Sequence, residues 1–454
     1  MSAPRHTAIA RTAIPSSILA RTGWGLIGTI LALAAYVAWD NWGDPWRAPA
    51  SPVASAPSVA TPSEKTAQIE RGQYLARAGN CVACHSARGG EPMAGGRRID
   101  TPFGAVFSSN LTPDVRTGLG AWNTHDFWQA LHHGRSKDGR LLTPAFPYNH
   151  TSVITRADSD DLLAWLQSLP PVHQPAPAHT LIWPVGTQAA LAVWRSMFFS
   201  PRPFKPDPAQ SAEWNRGAYL VQGLGHCAAC HSPRNALGAS GAVDDLSGGL
   251  MPVVNWYAPD LGSDSETGLA STPLADIVQL LRTGQNRQAQ TSGPMAEVVQ
   301  HGTQHMTEAD LHAMAVYLQS RTQPAPSSVP VRAQVSLTVA VKGQQAYERH
   351  CLQCHGEQGQ GTTTTAGDVA YPALAGNRAV LLSDPTNLVQ TVLYGGYGPA
   401  TALHPRPFGM PPAVLELDDR DIAAVLTHLR TQWGNQASEV TPLQVNRIRA
   451  AQGH

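Results

Sequence analysis

Amphipathic segments recur in pairs along the chain, and each pair flanks a short stretch that contains two cysteines. The segment before each stretch places apolar residues at helical spacing, which predicts helices over residues 68–78, 212–222 and 341–349. The segment after it opens with a side-chain oxygen three residues ahead of an acid, the pattern of a capped helix N-terminus. The three pairs of capping residues are Thr155 and Asp158, Thr307 and Asp310, and Asp418 and Asp421. We therefore expect three similar units, each with one helix at either end.

An uncharged apolar run near the N-terminus precedes these units. Its length predicts a transmembrane helix at residues 23–42, because about 20 apolar residues cross a bilayer. Three arginines lie before it and predict that residues 1–22 are cytoplasmic: Arg5, Arg11 and Arg21. A cleaved signal peptide is the competing interpretation. The bulky Tyr36 and Trp39 at the end of the run favour an uncleaved single-pass anchor.

Segments rich in proline, alanine and serine divide the remainder of the chain. The predicted boundaries are 43–64 for a linker, 65–175 for domain 1, 176–209 for a connecting segment, 210–322 for domain 2, 323–334 for a second linker, 335–436 for domain 3 and 437–454 for a C-terminal tail. Residues 183–199 of the connecting segment are apolar. They predict either an interface with a partner or membrane surface, or ordinary core.

Composition narrows the classes of function. The 454 residues have a formal net charge of zero and only 14% are charged, so we expect no nucleic-acid partner. The chain has 40 glycines and 37 prolines, which fits long loops between short helices. No Ser/His/Asp set, carboxylate cluster or phosphate-binding loop indicates a separate catalytic site.

All six cysteines lie in three copies of the pattern Cys-x-x-Cys-His. One copy could be a zinc half-site or a redox pair, but three complete copies indicate three covalently bound haem c groups. The predicted thioether residues are Cys81, Cys84, Cys227, Cys230, Cys351 and Cys354. The predicted axial histidines are His85, His231 and His355. Haem attachment implies a compartment outside the cytoplasm, so we expect the haem domains on the periplasmic side of the inner membrane.

The haem motifs and paired helices together predict the fold class. We expect an all-α chain of three tandem cytochrome c-like domains, with long loops around covalently bound haem and the N-terminal transmembrane helix in addition. In each domain the first helix presents the cysteines, and the last packs against it over the haem edge.

Each iron also needs a sixth ligand. In domain 3 the prediction is Met410, which is the only methionine of that domain. In domain 2 it is Met295, which lies in a loop. Its rivals are Met251, Met306 and Met314, of which Met306 and Met314 are better explained by helix capping and core packing.

Domain 1 has no methionine in the corresponding region, and there His150 is the predicted sixth ligand, five residues before the capping Thr155. Met93, eight residues after His85, is a rival. The other rivals are His125, His132 and His133, or an open coordination position. A bis-histidine haem beside two His/Met haems would have the lowest potential of the three and would suit electron entry.

Several stretches outside the motifs carry a family resemblance. They are Gly89-Gly90, Ala94-Gly95-Gly96, Thr101-Pro102-Phe103-Gly104, residues 109–114, Trp256-Tyr257-Ala258-Pro259, residues 293–298 and residues 431–435. In this order the chain resembles the tri-haem cytochrome c subunit of membrane-bound periplasmic dehydrogenases. The resemblance implies an electron-transfer subunit that passes electrons from a catalytic subunit to ubiquinone in the membrane, and that does not oxidise the substrate itself.

One position distinguishes the branches of that family. Alcohol and sugar dehydrogenase cytochromes carry a methionine where this chain has Phe146. The Phe-Pro-Tyr-x-His pattern that ends at His150 looks more like the cytochromes of molybdenum/iron–sulfur aldehyde dehydrogenases. It therefore implies a molybdopterin catalytic subunit with an iron–sulfur subunit. The alternatives are a PQQ alcohol dehydrogenase, a flavin sugar dehydrogenase, or a haem enzyme with an open site at haem 1.

Overall fold

The N-terminal helix and one helix from the middle of the chain form a separate unit. The computed structural model describes residues 16–43, 61–324, 334–365 and 369–451, and the predicted linkers fall largely outside these ranges. The unit consists of Ser16–Ala38, the π-helical turn Trp39–Gly43 and Gln188–Phe198. The buried Asn41 side chain donates to the main-chain oxygen of Ala192 over 3.0 Å and accepts from Arg195 Nε over 3.0 Å.

The predicted membrane anchor at residues 23–42 needs correction. Within the described ranges, none of the helices combines the length with the apolarity that a bilayer crossing requires. The helix Ser16–Ala38 covers most of the predicted span. The cytoplasmic assignment of residues 1–22 lies mostly outside the described residues.

The second unit contains the three predicted domains. The helices of domain 1 are Pro62–Ala78, Cys81–His85, Thr124–His133, Tyr148–Thr151 and Arg156–Leu166. Those of domain 2 are Ala212–Gln222, Cys227–Ala229, Asp264–Thr267, Leu274–Thr283, Gly293–His301, Thr303–His305 and Glu308–Arg321. Those of domain 3 are Leu337–His350, Leu352–His355, Arg378–Leu381, Thr386–Tyr394 and Asp419–Thr431, and the predicted C-terminal tail contains the helix Pro442–Ala451. We call the helix before each haem motif the leading helix, and the one after the capping residues the closing helix.

Short antiparallel strands also join these helices, and the described chain is rich in helix, as the prediction of an all-α fold expects. One three-stranded sheet and three two-stranded sheets occur within the described ranges. Their strands are Arg98–Thr101, Gly104–Phe107, Thr180–Leu181, Gly249–Met251, Trp256–Ala258, Thr362–Thr363, Val369–Tyr371, Gly396–Tyr397 and Gly409–Met410. They are too short to form a layer of their own, and they tie down the long loops that were predicted.

Each leading helix crosses its closing helix at a glycine. A Cβ on Gly72 would overlap the main-chain oxygen of Asp161, and one on Gly217 would overlap that of Ala313. Gly343 meets Ala424 in the same way. An aromatic or imidazole side chain lies one turn further along the closing helix at each crossing, namely Trp165, Tyr317 and His428. Three domains thus use one helix-crossing geometry.

The predicted helix caps are confirmed. Thr155 and Thr307 accept from the backbone N–H of the acid three residues later, and Asp418 forms a full capping box with Asp421. The closing helices then bury their apolar faces in three separate hydrophobic clusters. The C-terminal helix Pro442–Ala451 adds Val445 and Ile448 to the cluster of domain 3.

In the connecting segment, helix Gln188–Phe198 buries Leu191 and Ala192, so part of this segment is ordinary core. Trp183, before that helix, remains 85% exposed.

Candidate functional site

The three cysteine motifs occupy the same place in their domains, on a short turn directly after the leading helix. In domains 1 and 2 the residue before the first cysteine turns the chain sharply, because Asn80 and His226 adopt left-handed backbone conformations with φ of 49° and 36°. The six cysteines form no disulfide bonds with one another, which fits the use of their sulfurs in thioether bonds to haem vinyl groups.

Each of the three motif histidines forms the same type of hydrogen bond. Nδ1 of His85 lies 2.8 Å from the main-chain oxygen of Ser109, Nδ1 of His231 lies 2.8 Å from that of Pro259, and Nδ1 of His355 lies 3.0 Å from that of Pro372. A carbonyl can only accept, so Nδ1 carries the proton and Nε2 keeps a lone pair for iron. Burial lowers the pKa of all three imidazoles, which keeps them neutral at pH 7.

Met295 and Met410 lie partly buried against the cores of domains 2 and 3. Met295 is in the first turn of helix Gly293–His301, and Met410 is in the strand pair Gly396–Tyr397 with Gly409–Met410. Of the rival methionines in domain 2, Met306 and Met314 are core residues with 7% and 2% exposure. Met251 is half-buried on the strand Gly249–Met251, so exposure alone does not separate it from Met295. Met295 packs against the same hydrophobic cluster as Cys227, and Met410 packs against the same cluster as Cys351.

Comparison of domains 1 and 2 shows which role Met93 has in domain 1. The Leu111 N–H donates to the Met93 carbonyl over 2.8 Å, and in domain 2 the Leu261 N–H donates to the Leu246 carbonyl over the same 2.8 Å. Met93 thus corresponds to a leucine. Both residues are almost fully buried, which makes Met93 part of the apolar core.

The same comparison places Phe146 where domain 2 has Met295. In domain 1 the Thr151 hydroxyl donates to the Leu131 carbonyl over 2.6 Å, and in domain 2 the Thr303 hydroxyl donates to the Leu281 carbonyl. Phe146 lies four residues after Leu142, whose N–H donates to the Gly134 carbonyl, and Met295 lies four residues after Thr291, whose N–H donates to the Gly284 carbonyl. Phe146 packs against the same hydrophobic cluster as Cys81 and Val82. A phenyl ring offers no lone pair to iron.

His150 lies on the short helix Tyr148–Thr151 and is 2% exposed. Its Nδ1 is 2.9 Å from the main-chain oxygen of Gln222 in domain 2, and its ring centroid is 6.5 Å from that of His226. Burial, with a smaller effect from His226, lowers the pKa of His150 to about 4. The imidazole is therefore neutral at pH 7 and has the same Nδ1–carbonyl bond as the three motif histidines.

The rival histidines of domain 1 have other surroundings. His132 is buried and stacked on Trp128 with 4.3 Å between ring centroids, and its ring meets His133 edge-on at 4.8 Å. Burial lowers the pKa of His132 to about 4. Within the described ranges, no group of three or more His, Cys, Asp or Glu side chains could hold a metal ion.

The carbonyl partners of the imidazoles were not anticipated from the sequence. Ser109, Pro259 and Pro372 follow their histidines by 24, 28 and 17 residues, so no fixed spacing indicates them. Main-chain acceptors carry no residue-type signal either. The contact of His150 with domain 2 was missed for the same reason.

Comparisons with known proteins agree with this geometry. The family model described as Cytochrome c matches residues 69–170 and 340–433. The cytochrome c subunit of a quinone alcohol dehydrogenase from Gluconacetobacter polyoxogenes is 38% identical over 86% of this chain and 86% of its own length. The gluconate 2-dehydrogenase cytochrome c subunit of Pantoea cypripedii is 36% identical over 86% of this chain and 92% of its own. One of the subunits of the nicotinate dehydrogenase of Pseudomonas putida is 38% identical over 88% of this chain, which corresponds to 34% of that longer protein.

Proposed function

This chain belongs to the family of cytochrome c subunits of dehydrogenase complexes, and we propose that it carries three covalently bound haem c groups. When bound, each haem supplies one-electron redox chemistry. The observation that carries the proposal is the repeated arrangement of His85, His231 and His355, each neutral and each held through Nδ1 by a main-chain carbonyl. Domain 2, which the family model does not match, has this arrangement as completely as the other two.

The proposed sixth ligands are Met295 in domain 2 and Met410 in domain 3, because each packs against the hydrophobic cluster that the first cysteine of its haem motif also contacts. The rivals Met306 and Met314 are core residues. For haem 1 we propose His150. Its support is a neutral imidazole whose Nδ1 is held by a carbonyl, so that Nε2 keeps its lone pair.

A second candidate for haem 1 rests on Phe146. This residue takes the place of Met295, and the known neighbours of the His150 ring, Gln222 and His226, belong to domain 2. In this alternative Phe146 covers an iron without a sixth protein ligand, which is the open site of a ligand-binding haem. Carbon monoxide separates the two candidates, since a six-coordinate haem excludes it and an open haem binds it.

The role we propose for the chain is electron transfer from a dehydrogenase catalytic subunit to ubiquinone at the inner membrane, with the haem domains in the periplasm. Named relatives are cytochrome subunits of alcohol and gluconate dehydrogenases, which supports a catalytic partner. We propose a molybdopterin subunit with an iron–sulfur subunit, of the aldehyde dehydrogenase type, on the Phe146 to His150 pattern. The nicotinate dehydrogenase relative supports a partner outside the alcohol and sugar dehydrogenases.

Affinity purification of the tagged chain from detergent-solubilised membranes tests both the proposed electron-transfer function and the proposed molybdopterin partner. The intact mass should exceed that of the polypeptide by three haems, and a large subunit that contains molybdopterin should co-purify. A quinone or flavin subunit in its place would overturn the molybdenum branch and leave the electron-transfer role. A chain with fewer than three haems, or without any dehydrogenase partner, would overturn the function itself.

A further inference from the structure

Domains 1 and 2 exchange hydrogen bonds through two equivalent tyrosines. Tyr74 of the domain 1 leading helix donates to Asp310 Oδ2 of domain 2 over 2.5 Å. Tyr219 of the domain 2 leading helix donates to Asp158 Oδ2 of domain 1. Each tyrosine lies two residues after the glycine at which its leading helix crosses the closing helix. The two contacts are therefore the two halves of a pseudo-two-fold arrangement.

Both hydroxyl groups are integrated into helix caps. Besides donating to the carboxylate, the Tyr219 oxygen accepts from the Thr155 N–H over 3.0 Å, and the Tyr74 oxygen accepts from the Thr307 N–H over 3.3 Å. Thr155 and Thr307 are the N-caps of the two closing helices. Each tyrosine thus satisfies a helix N-terminus of the other domain, where free N–H groups need acceptors.

Apolar contacts repeat the same exchange next to the haem motifs. Ala78, three residues before Cys81, belongs to the hydrophobic cluster of domain 2. Leu224, three residues before Cys227, belongs to that of domain 1. The chain segments that lead into the two motifs are therefore each buried in the other domain.

Two further contacts bring the haem-binding turn of domain 1 next to domain 2. Arg97 donates to the main-chain oxygen of Ala83, between Cys81 and Cys84, and its Nη2 lies 3.2 Å from Glu297 of domain 2. Helix Gly293–His301, which carries Met295 and Glu297, packs against the helix Cys81–His85. The proposed sixth ligand of haem 2 and the haem 1 motif are thus on adjoining helices.

Among its described residues, domain 3 has no equivalent tyrosine contact with the helix cap of another domain. The residue two positions after its crossing glycine, Gly343, is Gln345, which is exposed. The acid of its cap, Asp421, pairs with Lys342 within the same domain at 2.9 Å. Among the described residues, docking through this tyrosine position therefore joins domains 1 and 2 but not domain 3.

We propose that Tyr74 and Tyr219 are positioning residues that lock the haem-binding turns of domains 1 and 2 into a pair for direct electron exchange. The inference rests on the proposed attachment of haem to both motifs. We call the hydroxyl bonds of Tyr74 and Tyr219 clamps. Each leading helix ends at its motif, and the clamps lie seven residues before Cys81 and eight residues before Cys227. Each clamp therefore fixes where its motif lies. Loss of a clamp leaves the ligands of both irons intact and loosens their relative position.

The test uses the full-length haem-loaded protein with Tyr74→Phe, Tyr219→Phe and both changes together. Phenylalanine keeps the ring and removes only the hydroxyl, so haem content, visible spectra and midpoint potentials should equal those of the wild type. Electron equilibration between haems 1 and 2, followed after rapid photoreduction, should slow several-fold in the double variant and less in each single variant. Tyr257→Phe is the matched control, because Tyr257 bonds to Glu266 within domain 2 at 2.9 Å.

Asp158→Asn provides a second measurement, since an amide oxygen still accepts from Tyr219; equilibration should stay close to that of the wild type. Unchanged equilibration in the double variant, or equal slowing in Tyr257→Phe, would overturn the inference. A wild-type protein that lacks haem at either motif would instead overturn the proposed function, and the haem count reports this before any kinetics are measured.

Discussion

The imidazole Nδ1 of His150 lies 2.9 Å from the main-chain oxygen of Gln222, a residue of the neighbouring domain. The side chain proposed as the sixth ligand of haem 1 is thus oriented by domain 2. In the motif histidines the equivalent bond stays within one domain. Among the imidazoles proposed as iron ligands, His150 is therefore the one that is oriented from outside its own domain.

Replacement of His150 by alanine should convert haem 1 from low-spin to high-spin, because the iron loses its sixth ligand. Optical and EPR spectra should show one high-spin haem in three, and carbon monoxide should bind to it. His226→Asn is the control, since His226 is a half-buried neighbouring imidazole with no proposed bond to iron, and asparagine tolerates its left-handed backbone conformation. If His150→Ala leaves every spectrum unchanged, His150 is not the ligand. If the wild type already binds carbon monoxide, the Phe146 alternative holds.

Phe146→Met tests the correspondence between Phe146 and Met295. If haem 1 is open, the new thioether should ligate its iron, abolish carbon monoxide binding and raise the haem 1 potential. If His150 already ligates haem 1, the variant should keep the spectrum and potential of the wild type. Phe146→Leu, which adds no lone pair, should change neither ligation nor carbon monoxide binding. A wild type that binds carbon monoxide, together with a Phe146→Met variant that still binds it, would contradict the correspondence between Phe146 and Met295.

Local signals explain why some of the structure was predictable. The N-termini of the closing helices can be predicted from Thr155, Thr307 and Asp418, because each capping residue is followed three residues later by its acid. The covalent haem residues follow from contiguous motifs. In contrast, Tyr74 and Asp310 are 236 residues apart, and Tyr219 and Asp158 are 61 apart. Such pairs depend on how whole domains dock, which no local pattern encodes.

The crossing glycines should resist substitution. A Cβ on Gly217 would overlap the main chain at Ala313, so Gly217→Ala must push the leading and closing helices apart. We expect a loss of roughly 1–3 kcal/mol in the free energy of unfolding, as for other overpacked cores, despite the better helix propensity of alanine. Thermal unfolding of the haem-loaded protein measures it. Gly398→Ala, where the nearest atom is 3.4 Å away, should be nearly neutral, and equal loss in both variants would contradict the packing explanation.

Acid should destabilise domain 1 through His132. Burial lowers the pKa of this imidazole from its ordinary value of 6.5 to about 4, so the unfolded chain binds a proton that the native state excludes between these values. Stability should therefore fall as the pH drops from about 6.5 towards 4, by roughly 3 kcal/mol at the lower end. His132→Phe, which keeps a ring on Trp128, should flatten this part of the stability–pH curve. An unchanged curve would show that other groups cause the loss.

Arg234 should raise the reduction potential of haem 2. Its guanidinium donates to the main-chain oxygen of Ala229, between the two cysteines of the domain 2 motif, over 2.6 Å. The corresponding Arg97 of domain 1 is paired with Glu297, whereas Arg234 forms no ion pair with the side chains that the structure describes. An uncompensated positive charge beside a haem favours its reduced form, because reduction adds an electron.

Arg234→Gln should therefore lower the haem 2 potential, by an amount on the order of tens of millivolts for a partly exposed charge. Spectroelectrochemical titration of the three haems measures the shift, and higher ionic strength should reduce it. Arg234→Lys keeps the charge and serves as the matched control, with a potential close to that of the wild type. An equal shift in both variants would attribute the effect to the lost Ala229 contact, because lysine preserves charge but not the guanidinium geometry. In that case the hydrogen bond to the Ala229 carbonyl, and not the charge of Arg234, sets this part of the haem 2 potential.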